Sequence, residues 1–235
     1  MPRHNPFKFY LMASVSFIKK MESKEQFLEP YREKGYDVYS FYSFDNIKPF
    51  LAQHVKMPRF IVAIIIISLI AGSGILGAAA GYSWKMKESI GEWGILFAQT
   101  LLCSFIGIAC MIPLHEFIHW IAFKCIGARN IRFGADWKHF VFYAAVHDYA
   151  LNYKQFRTVA VAPLYTILLI LGITVLTPVA GWIKLVCLVL YLFHLLSCSG
   201  DIMLLTYFRK LKHRNILTVD DIENKTTYFL EKVRV

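Results

Sequence analysis

Charge is scarce in this sequence: only 18% of its 235 residues are Asp, Glu, Lys or Arg, against 57% hydrophobic ones. So little charge excludes an ordinary soluble domain, in which about a quarter of the residues are charged. Acidic residues are the scarcer sign, 16 against 26 Lys and Arg, for a formal net charge of +10. In a soluble protein that excess would suggest nucleic acid. Here the basic residues stand between and beside apolar blocks, where they orient helices and meet anionic lipid, so no nucleic-acid partner is expected. Cysteine pairs of the C-x-x-C type are absent as well. Cys103, Cys110, Cys125, Cys187 and Cys198 stand singly in or beside apolar segments, as small packing residues do, which argues against a disulfide framework. No internal repeat and no low-complexity segment is found.

What is present is length without charge. Four segments approach the roughly 20 apolar residues that a helix needs to cross a bilayer. They run from Phe60 to Trp84, from Gly94 to Lys124, from Thr158 to about Pro178, and from Leu185 to Phe208. Gly72, Gly74 and Gly77 in the first would let another helix approach closely. The pattern predicts an all-α membrane protein of about four transmembrane helices, with residues 1–57 as an N-terminal segment, 58–209 as the membrane-embedded domain and 210–235 as a C-terminal tail.

Basic residues flanking short loops set the expected orientation. Lys48, Lys56 and Arg59 precede the first segment, Lys124, Arg129, Arg132, Lys138, Lys154 and Arg157 lie between the second and third, and Arg209, Lys210, Lys212 and Arg214 follow the fourth. The other two connections hold only Lys85, Lys87 and Lys184. A multi-pass protein of the cell membrane with both termini and the middle loop in the cytoplasm follows. The apolar stretch Phe9 to Ile18 is too short to span, and Lys19 and Lys20 stand where a signal peptide would need small residues. Tyr36, Tyr39, Phe41, Tyr42 and Phe44 suggest an N-terminal segment lying on the membrane surface. In the middle loop, the β-prone runs Ile131–Phe133 and Phe140–Val146 around Asp136-Trp137-Lys138 suggest a short β-hairpin.

The chemistry is concentrated in His115-Glu116-Phe117-Ile118-His119. A helix sets residues four apart on one face, so both imidazoles can reach a single tetrahedral ion, and Glu116 lies beside them as a general base for a water molecule. Three ionisable residues within about one turn of a membrane helix are costly, and are expected to face a polar or metal-containing interior. A third protein ligand is needed. The extended pattern of the metzincins would place Gly at 122 and His at 125, but the residues are Ala122 and Cys125. Asp201 is the strongest candidate, since it stands eight residues before Arg209 as His115 stands nine before Lys124, and matching offsets at about 1.5 Å per residue give matching depth. His147, Asp148 and His194 are weaker candidates. His194 precedes Asp201 by seven residues, on the same helix face, and could steady the metal site or donate to an oxyanion. Pro113 should free a carbonyl near Ala109.

These motifs resemble a known group. His115 to His119, Ala162-Pro163 opening the third helix and Ser199-Gly200-Asp201 in the fourth are similar to the putative zincin peptidase family of bacterial integral membrane proteins, distant relatives of site-2 proteases. The resemblance covers about residues 95 to 208 and implies His115, His119 and Asp201 as zinc ligands and Glu116 as general base. Site-2 proteases carry Asn-x-x-Pro and Leu-Asp-Gly stretches, whereas here Gly200 precedes the aspartate and His194 stands near the place of the Asn.

A membrane-embedded zinc endopeptidase is therefore expected, with the lipid bilayer around it, acting near the cytoplasmic face on membrane-protein or peptide substrates, with an extended substrate adding a strand to the edge between Ile131 and Val146. The competing readings are a metal-binding or transport protein without catalysis and an inactive protease relative. Chelation alone has no need of Glu116, which favours the enzyme.

Overall fold

The computed structural model describes residues 21–86, 90–136 and 141–233. The stretch Phe9 to Ile18 and residues 137–140, within the expected hairpin, lie outside the described residues. Helix α1 covers 21–32, followed by β1 (Tyr36–Ser43), α2 (Ile47–His54), α3 (Arg59–Met86), α4 (Ile90–Cys125), β2 (Ile131–Asp136), β3 (Val141–Val146), α5 (Tyr153–Leu176), α6 (Gly181–Ser197), α7 (Ser199–Leu211), β4 (Leu217–Asp221) and β5 (Thr226–Lys232).

Among the described residues, three helical stretches are long and apolar enough to cross a membrane: Gly94–Cys125, Tyr153–Leu176 and the near-continuous Gly181–Arg214. A fourth is reached if α2 and α3, which meet at a 98° bend, count as one span. Their outer faces carry apolar side chains open to the surroundings, including Phe97 at 69% exposure and Phe105 at 72%. An apolar surface of that extent is stable only against lipid or another protein. Inside, Met111 and Ile118 of α4 pack on Ile167 and Leu171 of α5 and Cys187 of α6. A β-carbon at Gly72 or Gly107 would come within 2.8 Å of Leu188 or Leu190 respectively, so these glycines let α3 and α4 approach α6. Gly74 and Gly77, expected to serve the same end, have open space around them.

The expectation of helices with one short hairpin leaves out a three-stranded sheet, which stands beside the two-stranded one. In the larger, β5 lies between β1 and β4 and pairs antiparallel with both, Tyr36 opposite Lys232 and Leu217 opposite Leu230. Residues expected as a surface segment and a tail thus form one sheet-bearing cap. Its N-terminal aromatics do not form a single membrane-facing strip. On β1 they alternate, with Tyr42 buried against Leu51, Phe208 and Phe229 while Phe41 on the opposite face is 54% exposed. The β4–β5 turn is closed by Asp221, which accepts from the Asn224 backbone N–H, and Lys225 takes a left-handed conformation at φ +48°. In the smaller sheet β2 pairs antiparallel with β3, Ile131 opposite Val146.

The cap is stitched to the membrane region behind β3. Leu151 and Thr218 exchange backbone hydrogen bonds at 2.8 and 2.9 Å, and the Asp148 N–H donates to the Asp220 carbonyl at 3.2 Å. Gly127, at φ +89°, ends α4 with Ala128 N–H donating to Phe123 O at 3.0 Å, a left-handed stop that turns the chain into β2 eight residues after His119.

Candidate metal centre

His115 and His119 share one face of α4 because a turn of helix separates them, and their Nε2 atoms are 3.1 Å apart. Asp201, in the first turn of α7, places Oδ2 3.2 Å from His115 Nε2 and 3.5 Å from His119 Nε2. The structure thus brings together the three side chains singled out in the sequence. A tetrahedral ion with bonds of about 2.0–2.1 Å needs ligand atoms roughly 3.3 Å apart, which is the spacing found. Two imidazoles and a carboxylate form a donor set suited to zinc. Both histidines are 7% exposed, so bulk water does not satisfy these converging acceptors.

Each ring is held from behind. His119 Nδ1 donates to the carbonyl of Val159 at 3.1 Å. That carbonyl is available for a reason visible in α5. Pro163 lies four residues on and has no N–H to give it, so a helix interrupted by proline presents a free acceptor to the imidazole. Pro163 was expected to open the third helix. It lies inside α5, which instead begins at an Asn152–Gln155 capping box. His194 is fully buried, and its Nε2 donates to the carbonyl of Pro163 itself at 3.1 Å. Its ring lies 5.5 Å from that of His115, edge to face, so it stands behind the cluster.

Two residues acquire a place that the sequence did not suggest. Cys198, read as packing, sits where α6 gives way to α7, with Sγ 4.0 Å from His115 Nδ1 and 3.4 Å from His194 Nε2. Its position one turn after His194 and three residues before Asp201 was the available signal. Val159 contributes only its backbone, which leaves no mark in the sequence beyond Pro163. The weaker ligand candidates His147 and Asp148 serve the cap instead. His147 Nδ1 accepts from the Ile222 N–H at 3.2 Å, and Asp148 accepts from the Tyr31 hydroxyl at 2.8 Å.

Glu116 points into the same space. The backbone of Ala144 on β3 hydrogen-bonds its carboxylate, while Oε2 is buried with no partner. Among the described residues only Ser104 and Thr218 share that condition. An orphaned carboxylate oxygen beside three converging ligand atoms is costly unless a water molecule, an ion or a substrate uses it. All four side chains line a cavity of about 850 Å³ that runs from Met111 and Ile112 past the cluster to Phe142 and Tyr143 of β3 and on to Asp220 of the cap. Burial pushes the Asp220 carboxyl up to about 6, with the hydroxyl of Thr227, 2.7 Å away, opposing the shift.

Comparison with known proteins adds one finding. Residues 108–216 match the model of a family described as "Putative zincin peptidase", which includes every residue of the cluster and the segment where the sequence motifs lie. No curated protein and no solved structure matches the chain.

Proposed function

Taking residues 108–216 as a region of the zincin peptidase family, we propose that the protein is a membrane-embedded zinc endopeptidase that hydrolyses peptide bonds of membrane or membrane-associated proteins. The observation that carries this reading is the unpartnered Oε2 of Glu116 beside the converging His115, His119 and Asp201, in one cavity large enough for a peptide segment. A chelating site has no use for such a carboxylate. Hydrolysis does.

His115, His119 and Asp201 would hold the zinc, and the Val159 carbonyl keeps the His119 proton on Nδ1 so that Nε2 faces the ion. Bound there, zinc supplies Lewis-acid polarisation of the scissile carbonyl and makes a water molecule more acidic. Glu116 takes the proton from the water as its oxygen bonds to the carbonyl carbon. The same carboxyl then gives that proton to the departing amine nitrogen as the C–N bond breaks. The Ala144 hydrogen bond fixes the Glu116 carboxylate for both transfers. Because β3 supplies that bond and also lines the cavity, an extended substrate strand laid along the β2–β3 pair would pass beside Glu116. The low exposure of the histidines keeps bulk water from the reacting atoms.

Pairing of β1 with β5 supports placing residues 36–43 and 226–232 on one side of the membrane, and the Leu151–Thr218 bridge supports the middle loop on that side as well. With the basic residues gathered in the same three places, that side is the cytoplasm. Reporter fusions near Lys154 should read inside, and an outside signal there would overturn the topology.

The deciding experiment on activity is Glu116→Gln. It keeps size and hydrogen-bonding capacity but removes the base, so zinc should remain at wild-type stoichiometry while cleavage of a membrane-derived peptide falls at least ~100-fold. Equal cleavage by both forms would take the role of base from Glu116, and no cleavage by the wild type of any unfolded or membrane-derived peptide would leave metal binding without catalysis as the better reading.

A further inference from the structure

The ring of His115 faces two different sets of side chains from its two nitrogens. Nε2 looks toward His119 and Asp201, whereas Nδ1 looks toward Cys198 and, beyond it, His194. We propose that Cys198, His194 and the Nδ1 edge of His115 form a second metal position, back to back with the first, for a soft transition-metal cation.

The geometry carries this. One ligand atom from each of the three residues lies within 4.8 Å of the others, and all three residues are buried, Cys198 at 1% exposure and His194 at 0%. A tetrahedral ion with bonds of about 2.3 Å to sulfur and 2.0–2.1 Å to nitrogen needs S···N separations of roughly 3.6 Å. Cys198 Sγ stands 3.4 Å from Nε2 and 3.8 Å from Nδ1 of His194, and 4.0 Å from Nδ1 of His115, so both sulfur–nitrogen edges are within a few tenths of an ångström of that spacing, and side-chain rotation would draw the two rings, whose ligand atoms lie within 4.8 Å, around the ion. If His194 ligates through Nδ1, its Nε2–H keeps the bond to the Pro163 carbonyl that orients the ring, the arrangement usual behind a metal-bound histidine. Cys198 has no disulfide partner.

The two positions differ in chemistry. Asp201 makes the first set harder, whereas the sulfur of Cys198 makes the second one suited to Cu⁺, Cd²⁺ or excess Zn²⁺. Binding there replaces the thiol proton and the Nδ1 proton of His115, both released to solvent, and leaves His115 bridging the two ions. The second position therefore gives soft metals a hold on the same histidine that serves the first.

This inference shares His115 with the proposed peptidase site but is independent of hydrolysis, so it is read by binding and spectroscopy. Purified full-length protein in detergent is titrated with Cd²⁺, with stoichiometry followed by equilibrium dialysis and thiolate-to-cadmium charge transfer by ultraviolet absorption. Wild type should bind about two Cd²⁺ per chain, with the thiolate band growing in as the second position fills. Cys198→Ser, nearly isosteric, should lose the band and about one equivalent. Cys187→Ser, which removes a different buried thiol, should keep both, and His119→Ala should keep the band while disabling the first position. About one Cd²⁺ without a thiolate band in wild type would overturn the second position and leave the first standing. A band that survives Cys198→Ser, or no cadmium bound at all, would also overturn it.

Discussion

Two aspartates, one in the membrane region and one in the cap, are satisfied in opposite ways. Asp221 of β4, 1% exposed, accepts from the backbone N–H and the side-chain amide of Asn224 at 3.1 and 2.7 Å, partners three residues away in the same turn. Asp201 faces His115 and His119, which come from another helix far earlier in the chain. A carboxylate solved locally shapes a turn and can form as soon as the turn does. One that faces two distant imidazoles needs α4 and α7 brought together first, and its place among converging donor atoms suits a bound ion. The same division holds elsewhere. His147 and Asp148 are used up by backbone and hydroxyl partners in and around the cap, while Glu116 keeps an unpaired oxygen.

The most severe way to test that division is to remove the aspartate from the membrane site. Asp201→Ala should weaken zinc binding on the order of 10³-fold or more, since losing even an outer partner of a ligand costs about 10–100-fold. Metal analysis by mass spectrometry on purified variants reads this directly. Unchanged zinc affinity would show that Asp201 is a structural partner of the two histidines, as Asp221 is of Asn224 in the cap.

The reciprocal change belongs in the cap. Phe229, 1% exposed, lies edge-on to Tyr207 at 5.0 Å and Phe208 at 5.7 Å. Phe229→Ala should cost about 3–5 kcal/mol of stability, a transfer loss plus a cavity, and lower the denaturation midpoint in detergent. Zinc content of the folded fraction should stay at the wild-type value. Loss of zinc from protein that remains folded would mean that the cap and the site are one cooperative unit.

A finer test bears on the join between them. Pro163→Ala restores an N–H four residues after Val159, which then competes with His119 Nδ1 for the same carbonyl. Helix α5 should become no less stable, yet zinc affinity should fall by about 10–100-fold as His119 loses its orienting acceptor. Isothermal titration with Zn²⁺ against wild type measures this, and equal affinities would remove the proline from the account of the site.

Legibility in the sequence followed the same division. His115, Glu116 and His119 could be read because a helix converts a spacing of four into one face, and Asp201 because a charge among apolar residues demands a reason. Cys198 and the Val159 carbonyl could not. Cysteine is at home in apolar helices, and a backbone acceptor is invisible unless the missing N–H of Pro163 is followed four residues back. The sheet of β1, β5 and β4 was missed because Tyr36 pairs with Lys232 across nearly the whole chain, and no local periodicity reports so distant a pairing. Helix α5 begins before the apolar segment that starts at Thr158, because Lys154 and Arg157, which read as loop charges, lie in its first turns, and Asn152 and Gln155 cap it.

The smallest effect expected distinguishes a third aspartate, Asp220, which belongs to the cap yet borders the cavity. Burial raises its carboxyl to about 6 from an ordinary 3.8, against the opposing Thr227 hydroxyl bond and the His147 ring. A folded-state value above the unfolded one means that folding favours the protonated acid. Its contribution to stability is therefore complete below about pH 4, falls as pH rises from there through about 6, and stays at its lowest above that. Asp220→Asn can accept the same Thr227 bond but cannot ionise, so the variant should lack that loss. Subtracting the variant's thermal midpoint from that of wild type at each pH removes the titrations common to both, those of the candidate ligands included. The difference should become more negative across that window by about 2–4 °C, because the roughly 3 kcal/mol that such a shift carries in full is discounted to about 1 kcal/mol for a carboxyl only half-buried beside the cavity. A flat difference would place Asp220 in contact with solvent through the cavity, and would move the boundary between cap and site to the far side of β4.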